Sequence, residues 1–279
     1  MGFLVGIVSA LTVSIQNSFF KGYKEVSPFV LNWFRFLIAM PVLALIVSIF
    51  SEWSLPAVPF WLLLFCVSLP AELIHGYTYI RAFQESPQSM VGPLFSISPL
   101  FLIPLGYMFL DEAPSLLGFF GVISVVIGPF FLGKGKTGGV KNLFHERGIK
   151  FMIAAAFFAA LAVTVGKFSL HYVPPFLFAF FSVVTLFLGT SLIVFYQRLS
   201  LRLPFNKSFV GVTFSYPIIV ALHYLGLSLL FAAYYISLKR FSIVFDVILG
   251  RLVHHEDHFR ERMIGALFMV AGVLLIAFG

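Results

Sequence analysis

Apolar stretches of about 20 residues follow one another along the whole chain, each ended by a short polar patch. A helix of that length crosses a bilayer core of roughly 30 Å. The apolar residues run all around each predicted helix rather than along one stripe, so a water-soluble fold has no way to hide them. The pattern predicts helices over 2–20, 28–50, 58–80, 87–110 and 116–132, then over 151–170, 174–196, 209–229, 232–253 and 263–278. The boundary between the eighth and ninth is the least marked, because 216–238 carries no Lys, Arg, Asp or Glu and no turn signal. The expected fold is an all-α membrane protein with ten transmembrane helices.

The spacing of a few residues divides the chain in two. Gly106, Glu112, Gly121 and Gly128 recur 144 residues later as Gly250, Glu256, Gly265 and Gly272. Lys21 and Pro28 recur 146 residues later as Lys167 and Pro174. The predicted organisation is a first five-helix repeat over 1–133, a basic connector over 134–150 and a second five-helix repeat over 151–279, all in one membrane domain. Five is odd, so successive repeats enter the bilayer from opposite sides. Inverted repeats of this kind are a mark of transporters, with substrate held near the midplane between the halves.

Composition sharpens this picture. Of the 279 residues 60% are hydrophobic and 10% charged, against roughly 25% charged in soluble chains. The net charge of +7 is no nucleic-acid signal, because the basic residues gather between the apolar segments and act there as topology determinants. Odd-numbered connections hold Lys21, Lys24, Arg81, Lys134, Lys136, Lys141, Arg147, Lys150, Arg198, Arg202, Lys207, Arg251, Arg260 and Arg262; even-numbered ones hold Lys167 alone, beside Glu52, Asp111 and Glu112. The positive-inside rule then places both termini outside the cytoplasm. The N-terminal run lacks a basic leader and a cleavage pattern, so it reads as a retained first helix. The lone Cys66 excludes an internal disulfide and reads as a small core residue.

Charges inside apolar segments are costly and each needs a partner or a watery cavity. Lys239 and Arg240 are adjacent in the ninth segment and repel unless water, a carboxylate or an anionic ligand neutralises them. Arg adds a planar fork suited to phosphate or carboxylate, and Lys a compact charge. The competing reading makes them interfacial anchors that snorkel to headgroups. Asp246 follows Lys239 by seven residues, about 10 Å along a helix and nearly on the same face, which predicts a shared cavity. Tyr234 and Tyr235 stand one turn before the pair and line either the same site or an interfacial aromatic belt. Arg35 in the second helix is expected to pair with Glu72 of the third. Glu72 and His75, three apart, share a face and form either a proton-coupling pair or a static polar cluster. Gln16, Asn17 and Ser18 are either cavity wall or helix end. Pro70, and Pro87, Pro93, Pro99 and Pro104 in the fourth segment, predict kinks. The stretch His254, His255, Glu256, Asp257 and His258 lacks zinc-helix spacing and reads as a solvated turn. No metal or cofactor site and no nucleotide-binding loop is expected, which argues against an ATP-driven pump.

Two stretches carry a family resemblance: "SPQSMVGPLFSISPLFLIPLGYMFLDEAPSLLGFFGVISVVIG" at 86–128 and "ISLKRFSIVFDVILGRLVHHEDHFRERMIGALFMVAGVLLI" at 236–276. Both resemble the drug/metabolite transporter superfamily in its ten-helix EamA-like form, where a helix ends in Gly-x5-Glu and a Gly-rich helix follows. The resemblance implies a ten-helix inverted-repeat fold around a central cavity formed largely without the fifth and tenth helices. It also implies both termini in the cytoplasm, opposite to the loop charges; for this chain the loop charges are the better guide. The Lys239-Arg240 pair resembles the Lys-Arg pair of the sugar-phosphate translocator branch, which implies a grip on an anionic group.

The resulting expectation is a secondary transporter in a prokaryotic inner membrane, moving a small organic anion or zwitterion such as an amino acid or phosphorylated metabolite. Lys239, Arg240, Tyr235 and Arg35 would bind it, and Glu72, His75 and Asp246 would serve any proton coupling. Lipids and protons are the other expected partners, and monomer and homodimer both stay open. A flippase for a charged lipid carrier and an intramembrane enzyme are the alternatives.

Overall fold

The computed structural model describes residues 2–20, 23, 26–110, 115–132, 146–202, 205–229, 232–254 and 259–278. Among them the chain is helical with no strand. The helices are α1 (Gly2–Phe20), α2 (Pro28–Phe50), α3 (Val58–Glu85), α4 (Gln88–Leu94 continuing as Ser98–Leu110), α5 (Leu116–Leu132), α6 (Arg147–Ser169), α7 (Pro175–Tyr196), α8 (Lys207–Leu229), α9 (Ala232–Lys239 continuing as Ser242–His254) and α10 (Phe259–Phe278). Seven described segments are long and apolar enough to cross a membrane: α1, α2, α3, α6, α7, α8 and 90–109 of α4. The remaining apolar helices are shorter, α10 contributing Arg262–Leu275.

Local chemistry explains the starts. Pro28, Pro59 and Pro175 stand in the first turns of α2, α3 and α7, where a missing N–H costs nothing. The Asn206 side chain accepts the Phe209 N–H at 3.0 Å and caps α8, and Ser115 caps α5 through the Gly118 N–H at 3.0 Å.

Three helices depart from regular winding. Within α3 the turn Leu64–Ser68 is a π turn. Pro70 has no N–H for the Cys66 carbonyl four residues earlier, so the winding widens over that carbonyl. In α4 a 3-10 turn over Phe95–Ile97 precedes Pro99, which likewise leaves the Phe95 carbonyl without its helical donor. α9 is interrupted at Arg240 and Phe241, where Phe241 and Ile243 donate to the carbonyls three residues back at 3.0 Å each. No proline or glycine stands there. The two interruptions correspond: Phe95–Ile97 lies 144 residues before 239–241, and Ser98 and Ser242 each open the following helical half.

α5 and α10 pack along each other as the most extensive helix pair, followed by α3 on α6 and by α1 on α8 and α2 on α7. Between α5 and α10 the Ser124 hydroxyl donates to the Phe268 carbonyl at 2.8 Å, a contact between residues 144 apart. Two large apolar clusters fill the bundle, beside a smaller one of Ile243, Val247, Ala266 and Val270. One gathers Phe20, Leu31, Phe83, Leu94, Met152 and Phe209. The other gathers Phe36, Leu43, Phe60, Phe178, Leu186 and Tyr235. The outer surface is apolar as well, with Leu45, Phe50, Leu62, Leu192 and Phe195 among many exposed large side chains. Cys66 is exposed, against the core position its apolar neighbours predict: where lipid is the solvent, apolar sequence no longer distinguishes inside from outside.

Candidate functional site

A cavity of about 180 Å³ lies between the helices. Residues of α1, α2, α3, α4, α6, α7, α8 and α9 line it, and none of the described lining residues comes from α5 or α10. Its lining mixes two chemistries. Ala159, Ala160, Val163, Val183, Leu186 and Val220 are among its apolar members. Gln16, Asn32, Arg35, Glu72, His75, Tyr79, Ser98, His223, Lys239 and Arg240 are among its polar ones.

Each cation of the lining rests on an aromatic ring. The Arg35 guanidinium lies 4.2 Å from the Tyr216 ring centre and 5.4 Å from that of Phe20. It donates to Asn32 Oδ1 at 2.6 Å and to Gln16 Oε1 at 2.8 Å. The Arg240 guanidinium lies 4.6 Å from the Phe95 ring centre and donates to the Ser98 hydroxyl. The Lys239 ammonium lies 5.8 Å from the Tyr235 ring centre and donates to His223 Nδ1 at 3.2 Å. Stacking a guanidinium by its face leaves its edge donors free for a ligand. In both arginines Nε has no hydrogen-bond partner although the residue is 7% exposed.

The expected Arg35–Glu72 ion pair does not form. Gln16 and Asn32 take the guanidinium instead, and no ion pair within 4 Å joins Arg35 to Glu72. Glu72 faces the cavity and interacts electrostatically with Lys239 and Arg35 from a greater distance. His75 bridges α3 to α6, with Nδ1–H donating to the Ala155 carbonyl at 3.1 Å, and it stacks on Phe95 at 5.8 Å between centres. A carbonyl only accepts, which fixes the proton on Nδ1.

Lys239 and Arg240 both reach the cavity. On a regular helix neighbours point about 100° apart; here Lys239 reaches His223 of α8 and Arg240 reaches Ser98 of α4, so the two cations meet the cavity beside different helices. The interruption of α9 at Arg240 breaks the face-sharing that spacing predicts for Asp246. Asp246 is 2% exposed and is not among the lining residues. It accepts from Ser14 Oγ at 2.6 Å, Gln88 Nε2 at 2.9 Å and Asn17 Nδ2 at 3.2 Å, tying α9 to α1 and α4. Asn17 Oδ1 in turn accepts from Tyr79 Oη at 2.9 Å, linking this node to the cavity wall. Tyr235 also stands outside the lining. It is fully buried, with Oη donating to the Leu222 carbonyl at 2.9 Å and sharing a second hydrogen bond with the Ser9 hydroxyl at 3.1 Å, and so backs Lys239 from behind.

Of the polar patch ending α1, Gln16 lines the cavity, Asn17 holds Asp246, and Ser18 donates to Gln88 Oε1 at 3.1 Å. The Tyr234 side chain and residues 255–258 of the acidic–histidine stretch lie outside the described residues. Sequence reasoning missed Tyr79, Tyr216 and His223. His223 carried a readable signal, an imidazole in the middle of an otherwise uncharged span. The tyrosines carried none, since aromatic residues abound throughout.

The fold is known from other proteins. One solved crystal structure superposes with a TM-score of 0.66, covering 98% of this chain and 94% of its own at 14% identity, a likeness that shows the fold. No curated protein matches the sequence. The sequence pattern of the EamA-like transporter family matches residues 1–133 and again residues 146–278. A multi-pass, all-helical chain that meets this pattern twice around one polar cavity belongs to the EamA-like transporter family.

Proposed function

We propose that the protein is a secondary transporter that carries a small organic anion or zwitterion, an amino acid or phosphorylated metabolite, across a prokaryotic inner membrane by alternating access. The observation that carries this reading is a cavity with three ring-backed cations, built by helices from both family-matched segments. Lys239 and Arg240 hold the anionic group, with Arg35 across the cavity. Tyr235 acts through Lys239, setting its position. Glu72 and His75 on the cavity wall, and Asp246 behind it, are the groups available for coupling to protons. The chain works as two five-helix repeats, 1–133 and 151–279, joined by the basic connector 134–150. They lie in opposite orientation and together span the membrane ten times. The equivalent interruptions of α4 and α9 support this pairing.

The test is solute uptake into proteoliposomes, after a thermal-shift screen for ligands, since a ligand that binds the folded state raises its apparent stability. Lys239→Ala and Arg240→Ala are each expected to reduce uptake at least tenfold. Unchanged transport of every anionic solute by both variants refutes the site assignment.

A further inference from the structure

The charge of the cavity narrows the substrate further, given the transport reading above. Arg35, Lys239 and Arg240 supply three positive charges to its wall and Glu72 one negative. Both lining histidines are counted as neutral: His75 needs only the Nδ1 proton that the Ala155 carbonyl accepts, His223 Nδ1 accepts from Lys239, and a second proton on either ring would bury one more charge beside three cations. The balance is 3 − 1, or +2.

Among the described residues no carboxylate meets these cations at contact. The guanidiniums rest on Tyr216 and Phe95 and donate to the neutral oxygens of Gln16, Asn32 and Ser98. Each also keeps a buried Nε without a partner. Asp246, the nearest acid on α9, is engaged by α1 and α4 outside the cavity. Uncompensated charge among apolar walls is costly, and a ligand of opposite charge relieves that cost.

We infer that the substrate is a small dianion, a dicarboxylate or a phosphomonoester, and that monoanions and zwitterions are discriminated against by charge. A cavity of about 180 Å³ is smaller than the roughly 300–1,000 Å³ of drug-sized sites, which restricts the substrate to a short-chain solute. Two arginines on separate helices suit two anionic oxygens, either on two carboxylates or on one phosphate.

The test is a size-matched charge series with the full-length protein at neutral pH in phosphate-free buffer: butane-1,4-diol, butyrate, 4-aminobutyrate, succinate and glycerol 3-phosphate. Binding is read by thermal shift and transport by competition and counterflow in proteoliposomes. Succinate or glycerol 3-phosphate is expected to bind at least tenfold more tightly than butyrate or 4-aminobutyrate. The two dianions distinguish the dicarboxylate from the phosphate arm. Arg240→Gln, which lowers the cavity charge to +1, is expected to shrink the dianion-to-monoanion ratio at least tenfold. A purely structural Arg240 would weaken all ligands alike. Robust transport of butyrate or 4-aminobutyrate with no preference for either dianion overturns the inference and leaves the transporter reading standing. Absence of transport for this series and for a broad solute panel overturns both.

Discussion

At the scale of single residues, the site depends on aromatic rings placed behind cations. A ring face attracts a cation by about 0.5–2 kcal/mol, holding it in place without occupying the acceptor position a substrate needs. Tyr216 does this for Arg35 at 4.2 Å. Tyr216→Leu is therefore expected to raise the KM for transport by about 2- to 30-fold, since roughly 1.4 kcal/mol corresponds to a factor of ten. Tyr216→Phe keeps the ring and should restore most of the affinity; transport kinetics of both variants check this. Arg35, Glu72, His75, Lys239 and Arg240 were each legible in the sequence as ionisable groups in apolar spans, and all five line one cavity. Their partners were not legible. Which neutral amide or ring meets a cation depends on helix packing, so Gln16 and Asn32 displace the Glu72 that proximity in charge had predicted. Asp246 leaves the face that regular winding would give it, because α9 is interrupted at Arg240 and Phe241, where no proline or glycine announces a break.

At the scale of elements, helix spans followed from apolar run length, and the larger discrepancies lie at polar ends. α3 extends to Glu85 rather than Ile80, and α6 begins at Arg147 rather than Phe151. An i to i+4 pair, Arg81 with Glu85 at 3.0 Å, supports the added turn of α3 beyond the apolar stretch. Close approach of α8 to α9 depends on Gly226, where a Cβ would stand 1.9 Å from Tyr235 Cε2. Gly226→Ala should displace the ring that backs Lys239 and destabilise the fold by about 1–3 kcal/mol, the usual cost of overpacking. Thermal unfolding in detergent measures the stability, and a joint fall in anion affinity would report the displaced Lys239.

At the scale of the whole molecule, one buried carboxylate joins the two family-matched segments. Asp246 of the second segment is held by Ser14, Asn17 and Gln88 of the first. Hydrogen bonds to a charged group contribute roughly 1.5–3 kcal/mol each. Asp246→Asn keeps the shape and removes the charge, so it should lower stability by about that amount; unfolding midpoints of wild type and variant decide. The Tyr79–Asn17–Asp246 chain runs from cavity wall to this junction, so the variant is also expected to slow the transport cycle more than it weakens binding. The two-segment organisation was visible in the sequence as a 144-residue spacing of glycines, and Ser124 bonding to Phe268 across the same interval shows equivalent positions of α5 and α10 meeting. Cys66 has a practical corollary: as the sole cysteine of the sequence, exposed within the widened turn of α3 amid apolar neighbours, it faces lipid in the bilayer. A charged maleimide added from the water phase should leave it unlabelled in lipid nanodiscs and react once per chain after denaturation in detergent; full labelling of the native protein would place that turn in water.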